Sequence, residues 1–175
     1  MDITTRASRI RLAAFDIDGV MTDGGLTYTD DGHERKTFNV QDGLGIKLMQ
    51  GAGIEVAIVT GRRSGVVAAR AADLGISLVA QGVGDKFVSV QAMLDQLGLS
   101  WDECAFMGDD LIDLPALTRC GLAIAPANAR DIVKSHVHVV TTASGGHGAV
   151  REAIELILAA QNKLDAAFAP FLAPR

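Results

Sequence analysis

The chain has 175 residues, 49% of them hydrophobic, and a formal net charge of −5. That length fits one domain with a real core, and that hydrophobic content excludes a disordered chain. The acidic balance, with no basic stripe, excludes a nucleic-acid binder, which needs clustered Lys and Arg to displace counterions. No apolar run reaches the roughly 18 residues a membrane helix needs, so no membrane partner is expected. Residues 1–9 are polar and mixed in charge, unlike a signal peptide. Cys104 and Cys120 lie in apolar surroundings, and two buried thiols without an export signal read as cytoplasmic.

The first apolar run, residues 12–17, ends in Asp16-Ile17-Asp18-Gly19-Val20. Residues 26–29 and 35–40 then flank Asp30-Asp31-Gly32 and predict a β-hairpin. A helical pattern at 45–51 leads into a second strand-like run, 56–60, which ends in Thr60-Gly61-Arg62. A helix at 64–74, a strand at 78–81 and a helix at 86–97 follow, the last opened by Lys86 after Gly82-Val83-Gly84. The next strand, 105–108, ends in Gly108-Asp109-Asp110, with Asp113 three residues on. After it come a helix at 111–119, strands at 122–125 and 137–140, and a helix at 129–134 between them. A long helix is expected from about residue 147 to 168, and residues 169–175, with two prolines, read as a flexible tail. This alternation predicts an α/β fold: a Rossmann-like, mostly parallel sheet with helices on both faces. Residues 1–175 are read as a single domain, with the hairpin at about 26–40 projecting from it.

The chemistry-bearing residues fall at predicted strand ends, where open α/β sheets form their ligand crevice. Asp16 and Asp18 end one strand, and Asp109 and Asp110 end another. Converging carboxylates repel one another unless a cation sits between them, and a hard all-oxygen set suits Mg²⁺. The Thr60 hydroxyl and the Gly61 N–H, just before a helix, are good phosphate ligands. Lys86 adds a point charge for a phosphoryl group. One cation, two neighbouring acids, a hydroxyl and an ammonium fit phosphoryl transfer to a carboxylate nucleophile.

Asp16-x-Asp18-Gly19-Val20, Thr60-Gly61-Arg62, Lys86 and Gly108-Asp109-Asp110-x-x-Asp113 resemble, in order, the four motifs of the haloacid dehalogenase-like phosphatases. Within that superfamily, Asp16 through Gly24, Phe38-Asn39-Val40-Gln41-Asp42-Gly43, the stretch from Gly108 to Pro115 and Gly145 through Glu152 resemble the 3-deoxy-D-manno-octulosonate 8-phosphate phosphatase family. The resemblance covers nearly the whole chain. It implies a Mg²⁺-dependent phosphatase of lipopolysaccharide synthesis, acting on a sugar-acid phosphate. It also implies a homotetramer without a cap domain, in which hairpins and C-terminal tails of neighbours help close each active site. Asp16 becomes the nucleophile and Asp18 the acid and base. Asp16, the Asp18 main-chain carbonyl and Asp109 become the metal ligands, and Thr60, Gly61 and Lys86 the phosphate ligands. Asn39, Val40, Gln41, Asp42 and Gly43 match a substrate-contacting segment, and Lys47, Arg62 and Arg70 fall at matching cationic positions. Gln41 and His147 depart from the family pattern, where arginines are expected. Both changes remove a fixed cation near a site for an anionic sugar acid, which keeps a nine-carbon sugar-acid phosphate or another small-molecule phosphate open as the substrate.

Other readings of single residues stand beside these. Asp110 and Asp113 are read as capping or supporting residues rather than metal ligands. Lys47, Arg62 and Arg70 are each also compatible with ordinary helix-surface cations. His136 and His138 share a strand face but lack a third metal ligand. The cysteines lack the arginine of a Cys-x5-Arg phosphatase and read as packing thiols. A non-catalytic oligomeric scaffold is the rival from another class. It has no evident need for Asp16, Asp18, Lys86 and Asp109 together.

Overall fold

Apolar residues at both odd and even positions make the central strands buried on both faces, and the computed structural model, which describes residues 1–173, shows why. In β1 (Leu12–Phe15), Ala13 and Phe15 join one core while Leu12 and Ala14 join the other. The same split divides β4 (Glu55–Thr60), β6 (Cys104–Met107) and β7 (Leu122–Ala125). With β5 (Leu78–Gln81) and β8 (Val139–Val140) they form a six-stranded, all-parallel sheet in the order β5-β4-β1-β6-β7-β8. Helices α1 (Ile3–Ser8), α2 (Val40–Gly51), α3 (Gly65–Leu74) and α7 (Ala149–Ala160) bury apolar residues against the first face. Helices α4 (Lys86–Leu97), α5 (Leu114–Leu117) and α6 (Asp131–Lys134) cover the second. Each large side chain fully buried this way contributes about 1.5–3 kcal/mol, so both faces matter to the fold.

Three expectations need correction. The hairpin is shorter than residues 26–40. Its strands, β2 (Thr27–Tyr28) and β3 (Glu34–Arg35), pair over only two residues each. The last residues of the expected second arm belong instead to the start of α2, which Asn39 caps, its side chain accepting from the Gln41 N–H at 2.7 Å. The long C-terminal helix is two helices, α7 and α8 (Leu164–Leu172). They are divided at Asn162, which takes φ 55°, a left-handed conformation that Asn tolerates better than most residues. Gln161 fixes the break by donating to the main-chain oxygens of Ala7 and Ile10 at 3.2 and 2.8 Å. The expected loose tail is helical to Leu172, with Pro170 inside α8; residues 174–175 lie outside the described residues. Among the described residues no helix is long and apolar enough to cross a membrane.

Candidate active site

Strand register sets the site. Phe15 at the end of β1 lies opposite Ile58 of β4 and Met107 of β6. Asp16, Thr60 and Asp109 therefore emerge along one carboxyl edge. β1 is also where the strand order reverses, since β4 and β5 extend to one side and β6 to β8 to the other. Connections leave such a point in opposite directions and open a crevice.

Past β1 the chain makes a single wide turn, Ile17–Met21, in which Asp18 keeps an extended ψ of 115° and Gly19 takes φ 87°. Gly19 is required twice over. Its φ disfavours any side chain, and a Cβ there would stand 2.0 Å from Asp109 Oδ2. The turn is tied across the molecule by Asn128, which donates to the Gly19 carbonyl at 2.9 Å and accepts from the Gly145 N–H at 2.6 Å.

Beneath this turn lies a buried charge cluster. Lys86, 2% exposed, places Nζ 2.9 Å from Asp16 Oδ1 and 2.5 Å from Asp113 Oδ1. The other oxygen of Asp113 accepts the N–H groups of Asp109 and Asp110 at 2.9 and 3.1 Å. Asp113 thus holds both the lysine and the loop, while Asp110 caps the following turn by accepting from the Leu111 N–H at 2.8 Å. A buried ion costs several kcal/mol unless paired. Burial works against the charge on Lys86, yet the Asp16 and Asp113 carboxylates overcome it and raise the lysine's pKa. Burial pushes Asp16 up to about 6, with the Asp113 charge adding and Lys86 opposing. Asp109 is pushed to about 7, first by burial and then by the charges of Asp113, Asp16 and Asp110.

This cluster fits a divalent cation. Carboxylate oxygens of Asp16, Asp109 and Asp113 lie within 4.8 Å of one another. All are hard donors of the kind Mg²⁺ prefers. Asp113 already serves Lys86 and two N–H groups, which leaves Asp16 and Asp109 as the side chains that would hold the ion. The surplus negative charge that lifts Asp109 is what such a cation would neutralise.

Above the cluster opens a cleft of about 250 Å³, lined by Asp16, Asp18, Thr60, Gly61, Arg62, Asp109 and Asp110 among others. Thr60 is buried, and its hydroxyl accepts from the Arg62 N–H at 3.4 Å. Asp18 Oδ1 accepts from Lys36, and Arg62 Nε stands 3.7 Å from Asp18 Oδ2. Arg62 also reaches Glu34 at 3.0 Å and the Tyr28 hydroxyl at 2.7 Å. Sequence reasoning missed Lys36, Glu34, Tyr28 and Asn128. For Glu34 and Lys36 no local signal was available, since Lys36 lies one residue past β3 and its partner Asp18 is 18 residues away. Asn128 gave none, because its partner Gly19 is 109 residues away.

The remaining candidates sit elsewhere in this chain. The first turn of α2 is folded against the start of α7, which takes residues 39–43 out of the cleft lining. The Asn39 amide donates to Gly146 O at 3.3 Å. Asp42 is buried, with one oxygen accepting the Arg151 N–H at 2.8 Å. Val40 and Gln41 are exposed. Gly43 lies against Arg70, which stands 5.8 Å over the Phe38 ring. Lys47 borders a groove between α2 and α8 together with Lys163. His138 Nδ1 accepts from the Ala123 N–H at 2.9 Å, which ties it to the backbone of β7. Cys104 and Cys120 are buried free thiols, and burial pushes Cys120 up to about 12.

Comparison with known proteins agrees with this geometry. Residues 72–154 match the model of a haloacid dehalogenase-like hydrolase family. The 3-deoxy-D-manno-octulosonate 8-phosphate phosphatase of Yersinia pestis is 45% identical over 95% of this chain and 89% of that protein. The Escherichia coli K12 phosphatase of the same name is 42% identical over 95% of this chain and 88% of its own length. The crystal structure of the Moraxella catarrhalis phosphatase, in complex with magnesium ion, phosphate ion and a KDO molecule, superposes with a TM-score of 0.95. It is 44% identical and covers 97% of each chain. A carboxylate-rich cleft at the switch point of a parallel sheet, and this identity along nearly the whole length, lead to one statement: the chain belongs to the 3-deoxy-D-manno-octulosonate 8-phosphate phosphatase family of the haloacid dehalogenase-like hydrolases.

Proposed function

We propose that the chain hydrolyses 3-deoxy-D-manno-octulosonate 8-phosphate to the free sugar acid and phosphate, a step in lipopolysaccharide synthesis, with Mg²⁺ as cofactor. The observation that carries this reading is Asp16 itself. It is a buried carboxylate facing a polar cleft, held at 2.9 Å by a buried lysine and sharing that cleft with Asp18 and Asp109. The identity to the Yersinia and Escherichia phosphatases supports the substrate.

Asp16, Asp109 and the Asp18 main-chain carbonyl would hold Mg²⁺, which supplies charge neutralisation for the phosphate. A carboxylate oxygen of Asp16 forms a bond to phosphorus as the bond to the sugar oxygen breaks. Asp18 gives its proton to that oxygen, then takes one from the water that attacks the aspartyl-phosphate. Phosphate leaves and Asp16 is regenerated. The Thr60 hydroxyl, the Gly61 N–H and Lys86 hold the phosphoryl oxygens. Phosphate monoesters are among the slowest esters to hydrolyse unaided, so this fixed positive and donor set supplies much of the barrier reduction.

The assembly in this reading is a homotetramer, and the compartment is the cytoplasm, where two buried free thiols stay reduced. A second reading, a nine-carbon sugar-acid phosphate as substrate, rests on Gln41 and His147, neither of them the arginine the family resemblance calls for. A phosphate-release screen over eight- and nine-carbon sugar-acid phosphates, with Mg²⁺ and with EDTA, decides between them. The expected result is EDTA-sensitive release, fastest from the eight-carbon ester. Equal or faster release from the nine-carbon ester favours the second reading, and no Mg²⁺-dependent release overturns both.

A further inference from the structure

Two cations and two carboxylates alternate in a ring at the rim of the cleft. Lys36 Nζ bonds Asp18 Oδ1 and lies 3.4 Å from Glu34 Oε1. Arg62 closes the ring, with Nε 3.7 Å from Asp18 Oδ2 and Nη2 3.0 Å from Glu34 Oε1. The ring joins the turn after β1, the hairpin and the loop after β4. Its members differ in burial. The Lys36 side chain is 1% exposed, that of Asp18 22% and that of Arg62 43%. An exposed pair is screened and geometrically loose, contributing little, whereas a desolvated cation with no water to turn to fixes the direction of its partner.

We infer that Lys36 is a positioning residue that holds the Asp18 carboxylate in line with the leaving-group oxygen, an inference resting on the phosphatase reading above. Asp18 projects from a turn and has no other side-chain donor on Oδ1 among the described residues. Left free, it would swing towards whichever cation of the cleft lay nearest. Lys36 keeps Oδ1, so Oδ2 is the oxygen turned to Arg62. Arg62 is exposed enough to turn from Asp18 to the entering phosphate ester, which frees Oδ2 to carry the proton. That proton passes to the sugar oxygen as its bond to phosphorus breaks, leaving Asp18 as the carboxylate that Lys36 still holds. Glu34 supports the arrangement by bonding both cations. The short hairpin thus contributes to the reaction of its own chain.

The test is single-turnover leaving-group release by the full-length Mg²⁺-loaded protein, comparing the sugar phosphate with p-nitrophenyl phosphate. A sugar alkoxide is a poor leaving group that needs the proton, and p-nitrophenolate is a good one that does not. Lys36→Ala should slow release of the sugar by about 10²-fold, the scale of general-acid assistance. It should leave p-nitrophenolate release and the KM for both esters within about threefold of wild type, and Lys36→Arg should restore most of the sugar-phosphate rate. Equal slowing of both esters, no slowing, or a loss confined to KM overturns the inference while an active wild type leaves the phosphatase reading standing. A wild-type protein silent on both esters overturns the two together.

Discussion

Asp18 and Asp109 face the same cleft, but the proposed chemistry uses different atoms of each. Asp109 would offer its side chain to Mg²⁺, whereas Asp18 would offer its main-chain carbonyl and keep its carboxylate for proton transfer. Asp109→Asn should therefore weaken Mg²⁺ binding by about 10-fold or more, and Asp18→Asn by much less, although both variants lose turnover. Calorimetric Mg²⁺ titration separates the two, and equal losses of affinity would contradict this division of roles. The two carboxylates were legible in the sequence because each sits one to three residues beyond a buried strand, a spacing that local pattern carries. Lys36 was not legible. Its role depends on the hairpin folding back over residues 18 positions earlier, and nothing within its own neighbourhood marks it. Asp113 bonds Lys86 and two N–H groups, contacts that join the loop after β6 to the start of α4.

The turn that carries Asp18 depends on Gly19 as well as on its hydrogen bonds. A methyl group there would collide with the Asp109 carboxylate and occupy a left-handed φ. Gly19→Ala should lower Mg²⁺ affinity and turnover by about 10–100-fold, since it would displace the proposed ligand Asp109 without removing it. Titration and phosphate release measure this, with circular dichroism as the check on folding. Unchanged Mg²⁺ affinity would show that Asp109 moves without consequence. Elements buried on both faces were the easiest to read, as β7 illustrates: four apolar residues between Gly121 and Pro126 are too short a run for a helix and read as a core strand. The elements misjudged were governed by contacts outside themselves. The end of the hairpin's expected second arm falls in the start of α2, which the Asn39 cap fixes. The C-terminal helix broke because Asn162 could take a left-handed turn while Gln161 bonded Ala7 at the end of α1 and Ile10 just past it.

The whole chain leaves apolar residues on two small projections. Tyr28 of the hairpin is 54% exposed, and Phe171 and Leu172 of α8 are 64% and 78% exposed. A two-stranded hairpin this short is marginal by itself in water. Among the described residues no inserted segment lines the cleft, yet phosphoryl transfer gains from excluding water. A closed symmetric assembly, in which neighbours cover these surfaces and one another's clefts, satisfies both needs. Light scattering should give about four times the 18.3 kDa chain mass. Removing residues 169–175 should reduce sugar-phosphate turnover more than p-nitrophenyl phosphate turnover, because the small aryl ester needs less cover. A monomer in solution, or a truncation that affects both esters alike, would contradict the assembly. The exposed residues themselves show only that these faces are apolar, since a surface pattern does not say what covers it.

The central claim is that the substrate's phosphate is transferred to Asp16. Asp16→Asn keeps the volume of the side chain and leaves Lys86 paired with Asp113, so the buried lysine does not lose its last partner. The fold should survive, as read by an unchanged circular dichroism spectrum. The amide is too poor a nucleophile to take the phosphoryl group. Phosphate release from 3-deoxy-D-manno-octulosonate 8-phosphate by this variant, with saturating Mg²⁺, is the most direct measurement. The account predicts a rate below about one hundredth of wild type, because losing a nucleophile removes the step that all later ones depend on. A well-folded variant that keeps more than that would contradict it.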